Sequence, residues 1–203
     1  MVHNDSRHIA QRDGAAGESA GEGVPRPTPE VTVSAAVPAA APARGVLFVH
    51  SCPPALSPHV EWAVAGVLGV PVSLTWTGQS MAPGFLRCET GWRGRPGTAG
   101  RIAAALRDWA MLRFEITEEP SPGADGERFM FAPGHGLFRA ATSANGDIQL
   151  GEDMLRHLVA TTHGHEALAH AIQRGLGAAW DAELEPYRYA GEGVSPTWLT
   201  RVG

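Results

Sequence analysis

Residues 45–50, Gly-Val-Leu-Phe-Val-His, form a short continuous apolar run that ends on an imidazole. Six residues is strand length rather than helix length, and apolarity without alternation predicts a central strand. The continuation narrows the choice. Ser57 precedes Pro58, a hydroxyl able to cap a helix followed by a ring already set for its first turn. Val60, Ala63, Val64, Val67 and Leu68 then recur at helical spacing as one apolar face, and Gly69 ends the helix.

The pattern repeats. VSLTWT (72–77) alternates and predicts a second strand, and FLRCETGW (85–92) a third. GRPGTAG (94–100) opens a helix expected to reach about Ala110, with Ala99, Ile102, Ala103, Leu106 and Trp109 as its buried stripe. MLRFEIT (111–117) predicts a fourth strand. This order is the split βαβ arrangement, which sets two helices on one face of a four-stranded antiparallel sheet. Past the turn-rich EEPSPGADGE, strands are expected at RFMFA (128–132), GLFRAAT (136–142) and DIQL (147–150), broken by hairpin-type turns. Helices at about 152–161 and 165–180 follow, then an extended segment beginning PYRYAGEG. The expected class is therefore α+β: a ferredoxin-like βαββαβ core, a short antiparallel β meander and C-terminal helices.

Residues 1–43 are small, Pro-rich and without apolar periodicity. Such a segment cannot bury enough surface to offset its ordering entropy. It is expected to be a disordered extension, or an over-long gene start, ahead of a single domain at 44–203. The net charge of −5 argues against nucleic-acid binding, which needs a basic face. Cys52 and Cys88 form no CxxC pair, so neither a disulfide framework nor a zinc site is expected. There is no apolar leader region and no stretch near the ~20 apolar residues of a membrane span. The expectation is a cytoplasmic protein without cofactor or metal.

Candidate chemistry concentrates in four places. His50 and Cys52 stand at the mouth of the first strand-to-helix turn, with His59 in the helix beyond. A thiolate nucleophile needs a base or cation nearby, and Pro53 and Pro54 turn the chain away, so structural roles are favoured. His165 and His170 are five apart in HEALAH and miss the shared face a zinc motif requires. Arg93, Arg95 and Thr98 surround the start of the second helix, where free N–H groups favour an anion. On the first helix Trp62 lies about 200° from the core stripe, beside His59 and Gly66, and this face is the expected protein-binding surface. Trp180, Tyr187 and Tyr189 are expected to dock the C-terminal segment. Glu183 and Glu185, two apart, point different ways on a helix.

RGVLFVHS, PHVEWAVAGVLGV, RFEITEEPSPGADGERF, GDI and WDAELEPYRYAGEG together resemble a small actinobacterial family known only as a domain of unknown function. The resemblance runs from Arg44 to Gly203 and carries no activity or catalytic residue. By gene association it implies a link to fatty-acid synthesis or acetyl-CoA supply. The functional expectation is a non-catalytic binding or regulatory protein, its partner an acyl carrier or acyl-CoA-handling protein. The alternative is a small-molecule or acyl-group enzyme using His50, Cys52 or His59.

Overall fold

In the computed structural model the residues described are 41–189. The chain divides into two units, Met1–Val37 and Pro38–Gly203, and every described residue belongs to the second. The expected extension lies outside the described residues as far as residue 40, and so does the segment after Tyr189. Ala43, placed in that extension by its sequence, is buried and pairs with Gly94. The first strand thus begins two residues before the apolar run at 45–50.

That strand, β1 (Ala43–Cys52), takes the central place its apolar run predicts. It lies antiparallel between β3 (Leu86–Gly94) and β4 (Arg113–Glu118). With β2 (Thr77–Gly78), β5 (Gly126–Ala132), β6 (Gly136–Thr142) and β7 (Ile148–Gln149) it forms one seven-stranded antiparallel sheet in the order β2-β3-β1-β4-β5-β6-β7. The expected meander is therefore a continuation of the same sheet.

Register divides the side chains between two faces. Leu47 sits opposite Ile116, and Val49 opposite Phe114. Ile116 faces Phe129 on β5 and Phe114 faces Phe131, the Phe114 and Phe131 rings stacking at 5.2 Å. Against these pack α1 (Ser57–Leu68), through Val60 and Val64, and α2 (Thr98–Leu106), through Ala99, Ile102, Ala103 and Leu106. Alternation sends Met130 and Ala132 to the other face, where they meet Leu184, Trp180 and Phe138. Leu184 and Trp180 belong to α5 (Ala178–Tyr189), which follows α3 (Glu152–Thr161) and α4 (His165–Gly175).

Four expectations are corrected, each for a local reason. Residues 72–76 are not a strand: Glu61 Oε1 accepts hydrogen bonds from Leu74 N (2.9 Å) and Trp76 Nε1 (3.0 Å), and only Thr77 and Gly78 join the ladder. The second helix stops at Leu106, where tight turns take over: Trp109 N bonds Leu106 O, and Leu112 N bonds Trp109 O. The helix expected over 165–180 breaks at Gly177, φ 79°. A Cβ there would lie 2.7 Å from Met130 Cε and 2.9 Å from the Phe138 ring. Finally, Pro186 to Tyr189 are helical rather than extended, since α5 carries Pro186 at the loss of one internal bond. Among the described residues no helix is long and apolar enough to cross a membrane.

Candidate functional site

The residues at the end of β1 are separated by a bulge. Val49 pairs with Cys88, but Cys52 pairs with Leu86, so β1 carries one extra residue. The insertion turns Cys52 into the core shared with α1 and α2, while His50 points to the α5 side. The Cys52 thiol donates to Pro53 O at 3.3 Å. Burial pushes it up to about 11 and the Cys88 thiol up to about 12, so neither is a thiolate near neutral pH. His59 is exposed on α1. The three candidate catalytic side chains thus go to three environments: a core, a charge cluster and solvent.

The charge cluster is centred on Glu115, buried on β4 opposite Phe48 and Met130. Its Oε2 accepts from His50 Nε2 at 2.8 Å and from Arg188 Nε at 3.0 Å. Its Oε1 accepts from Arg128 Nη2 at 2.7 Å and from Arg188 Nη2 at 2.5 Å. Asp181, two turns before Arg188 on the same face of α5, takes further bonds from Arg188 Nη2 (2.7 Å) and Arg128 Nη2 (3.2 Å). Burial alone would raise the Glu115 carboxyl; the bonds from His50, Arg128 and Arg188 outweigh it and hold the group well below the usual carboxylate range. Burial lowers the His50 imidazole, helped by the Arg188 and Arg87 charges and opposed by Glu115. Neutral His50 therefore donates through Nε2, and its buried Nδ1 has no hydrogen-bond partner among the described residues.

A second buried carboxylate on β4 serves the opposite face. Glu118 Oε1 accepts from Gly97 N at 2.7 Å, and its Oε2 from Ala99 N at 2.9 Å. The free N–H groups expected to attract an anion at GRPGTAG are thus held by the chain's own Glu118. Thr98 is buried, its hydroxyl donating to Arg95 O and accepting from Arg101 Nη2. Arg95 is exposed. Arg93 alternates with Trp92, which is in the α1/α2 core, so Arg93 points to the other face of the sheet. Arg93 is therefore not brought together with Thr98 or with Trp62.

The outer face of α1 is as its helical spacing predicts. Trp62 is 69% exposed and stands edge-on to His59, ring centroids 5.2 Å apart. Gly66, also exposed, would meet nothing within 4 Å if given a Cβ. Val70, just past the helix, is also exposed. Of the expected docking residues, Trp180 donates to Gly136 O and packs on Phe138, and Tyr187 lies under the Arg113 guanidinium at 4.5 Å. Tyr189 is exposed. Glu183 pairs with Arg113 and Glu185 with Arg188, so they serve separate ion pairs. Among the described residues no cluster of His, Cys, Asp or Glu could hold a metal ion.

Glu115, Glu118, Arg128 and Asp181 are not singled out by the sequence pattern. A signal was present: RFEITE alternates, with Phe114 and Ile116 on one face, which leaves Glu115 on the other. That face reads as solvent until a helix is known to cover it.

A family model described as "Protein of unknown function (DUF3145)" matches residues 46–201. No curated protein and no solved structure matches the chain.

Proposed function

The chain belongs to the DUF3145 family, and from that premise we propose that it is a non-catalytic binding protein whose contact surface is the outer face of α1. The observation that carries this reading is Trp62, 69% exposed beside His59 and the bare backbone of Gly66. Exposed tryptophans flanked by small residues are the kind of anchor on which interface energy concentrates. The neighbouring α2 region supplies charge. Between 95 and 108, Arg95, Arg101 and Arg107 are exposed against Asp108, in a chain of net charge −5. A basic patch beside an apolar anchor favours an acidic protein partner, and an acyl carrier protein is the class proposed. The first four strands support a ferredoxin-like core beneath this surface, since the order β2-β3-β1-β4, antiparallel throughout with α1 and α2 in the crossovers, is that of the split βαβ arrangement. Fold alone assigns no function.

The test is calorimetric titration of the protein with purified acyl carrier protein, apo and acylated. Binding is expected to weaken with salt and with Arg95→Glu/Arg107→Glu, and to be lost at any salt with Trp62→Ala. Absence of binding, or equal affinity for Trp62→Ala, would overturn the reading.

A further inference from the structure

Arg44 on β1 and Arg93 on β3 are direct cross-strand partners. Their neighbours Ala43 and Trp92 belong to the α1/α2 core, so both arginines emerge on the opposite face. Like charges placed directly opposite one another destabilise a sheet, so such a pair calls for negative charge between them. Glu119 answers for one: it accepts from Arg44 Nε at 2.6 Å. Arg93 is exposed and makes no ion pair with any described residue.

These side chains line a cavity of about 280 Å³ with Pro42, Pro120 and Ser121. Ser121 is fixed by a tight turn, exchanging two backbone bonds with Ala124 around Gly123 at φ 82°. Its hydroxyl is buried and has no hydrogen-bond partner among the described residues. Ser121 and Arg93 thus line one cavity, the first with a buried hydroxyl and the second with a guanidinium, neither matched among the described residues.

We propose that this cavity binds a small carboxylic acid as its monoanion. Among the described residues that line it, two arginines and Glu119 leave one positive charge, which a monoanion neutralises and a phosphate dianion would exceed. The planar fork of Arg93 suits the two oxygens of a carboxylate, and the Ser121 hydroxyl supplies a third donor. The volume lies at the lower end of ligand cavities, so the acid has few carbons. Proline walls with fixed φ keep the site formed without ligand. The site stands on observations separate from Trp62 and does not depend on the protein-binding reading.

The experiment titrates the full isotope-labelled chain with propionate, succinate and inorganic phosphate, following the Arg93 side-chain Nε–H and the Ser121 amide by NMR. Propionate is expected to shift both saturably and to bind more tightly than phosphate. Arg93→Gln should weaken propionate by about tenfold or more, the loss of a charged two-point contact, and Ser121→Ala by less. Arg93→Lys, which keeps the charge and loses the fork, should fall between, and Trp62→Ala should change nothing. Thermal midpoints confirm that each variant folds. Unchanged propionate binding in Arg93→Gln, shifts confined to other residues, or tighter binding of phosphate would overturn the assignment.

Discussion

Glu115→Gln removes one charge from the centre of the buried cluster with little change of shape. In the native protein, His50, Arg128 and Arg188 all donate to this carboxylate, and Arg128 and Arg188 are 9% and 6% exposed. The substitution leaves two buried guanidinium groups with Asp181 as their remaining shared carboxylate, itself partly exposed. Breaking a buried charge pair from one side costs about 3–5 kcal/mol, because the surviving charge stays desolvated and uncompensated. In a domain of this size each kcal/mol moves the thermal midpoint by about 2–4 °C, so the expected drop is roughly 6–20 °C. Calorimetry at neutral pH measures it, with urea unfolding as a second estimate of the free energy. Arg139→Gln is the control: it breaks the Glu127–Arg139 pair, chemically similar but exposed, and should cost below about 1 kcal/mol. If Glu115→Gln costs no more than Arg139→Gln, the cluster does not hold α5 to the sheet and the reasoning fails.

The imidazole gives a pH effect of defined sign. His50 is held below its ordinary 6.5, so the unfolded chain binds a proton that the folded chain refuses; stability is full above that pH and falls as pH drops below it. The midpoint should therefore fall from pH 7.5 to 5.5, and His50→Gln should flatten that fall. Glu115, held low, adds a further loss that begins near its unfolded value of 4.5 and deepens with acid. Glu118→Gln should cost about 1–2 kcal/mol and speed hydrogen exchange at Gly97 and Ala99, whereas protection unchanged there would remove Glu118 as the cap of α2. Both thiols should resist alkylation at neutral pH in the native protein and react fully once unfolded; fast native labelling of Cys52 would restore it as a nucleophile. Gly45→Ala should prevent folding, since its Cβ would lie 1.8 Å from Thr117 O, and a soluble, cooperative variant would show that β4 can yield there.

Periodicity carried most of the fold because it reports burial directly. The run at 45–50 lies in the middle of the sheet, and Val60 and Val64 are buried under α1 while Trp62 is not. Strand 72–77 failed for a reason invisible in its own residues: Glu61, thirteen positions away from Leu74, takes the backbone donor that a ladder would have used. The separation of Cys52 from His50 was not legible, because a single-residue bulge has no composition signature here. The charge cluster was the largest omission. Its members come from β1, β4, β5 and α5, and none is unusual in its own segment. Arg188 lies 73 residues from Glu115, so only the docking of α5 reveals that an alternating strand carries its carboxylate inward.

Glu115 and Glu118 stand three apart on an extended strand, an odd interval that sends them to opposite faces. One holds α5, the other closes the N-terminus of α2, so β4 fastens a helix on each side of the sheet through charge rather than through apolar contact alone. This arrangement separates the functions proposed above. Trp62 lies on the outside of the α1 layer, and the Arg93 cavity opens on the far face of the sheet. Arg44, at that cavity, is six residues along β1 from His50, roughly 20 Å at strand spacing. That exceeds the screening length of about 8 Å at physiological salt. A carboxylate entering the cavity should therefore leave the His50 pH dependence unchanged, and protonation of the cluster should leave carboxylate affinity unchanged. Observed coupling between the two would mean that β1 transmits more than register, and that the cluster is part of a ligand response rather than a fastening of α5.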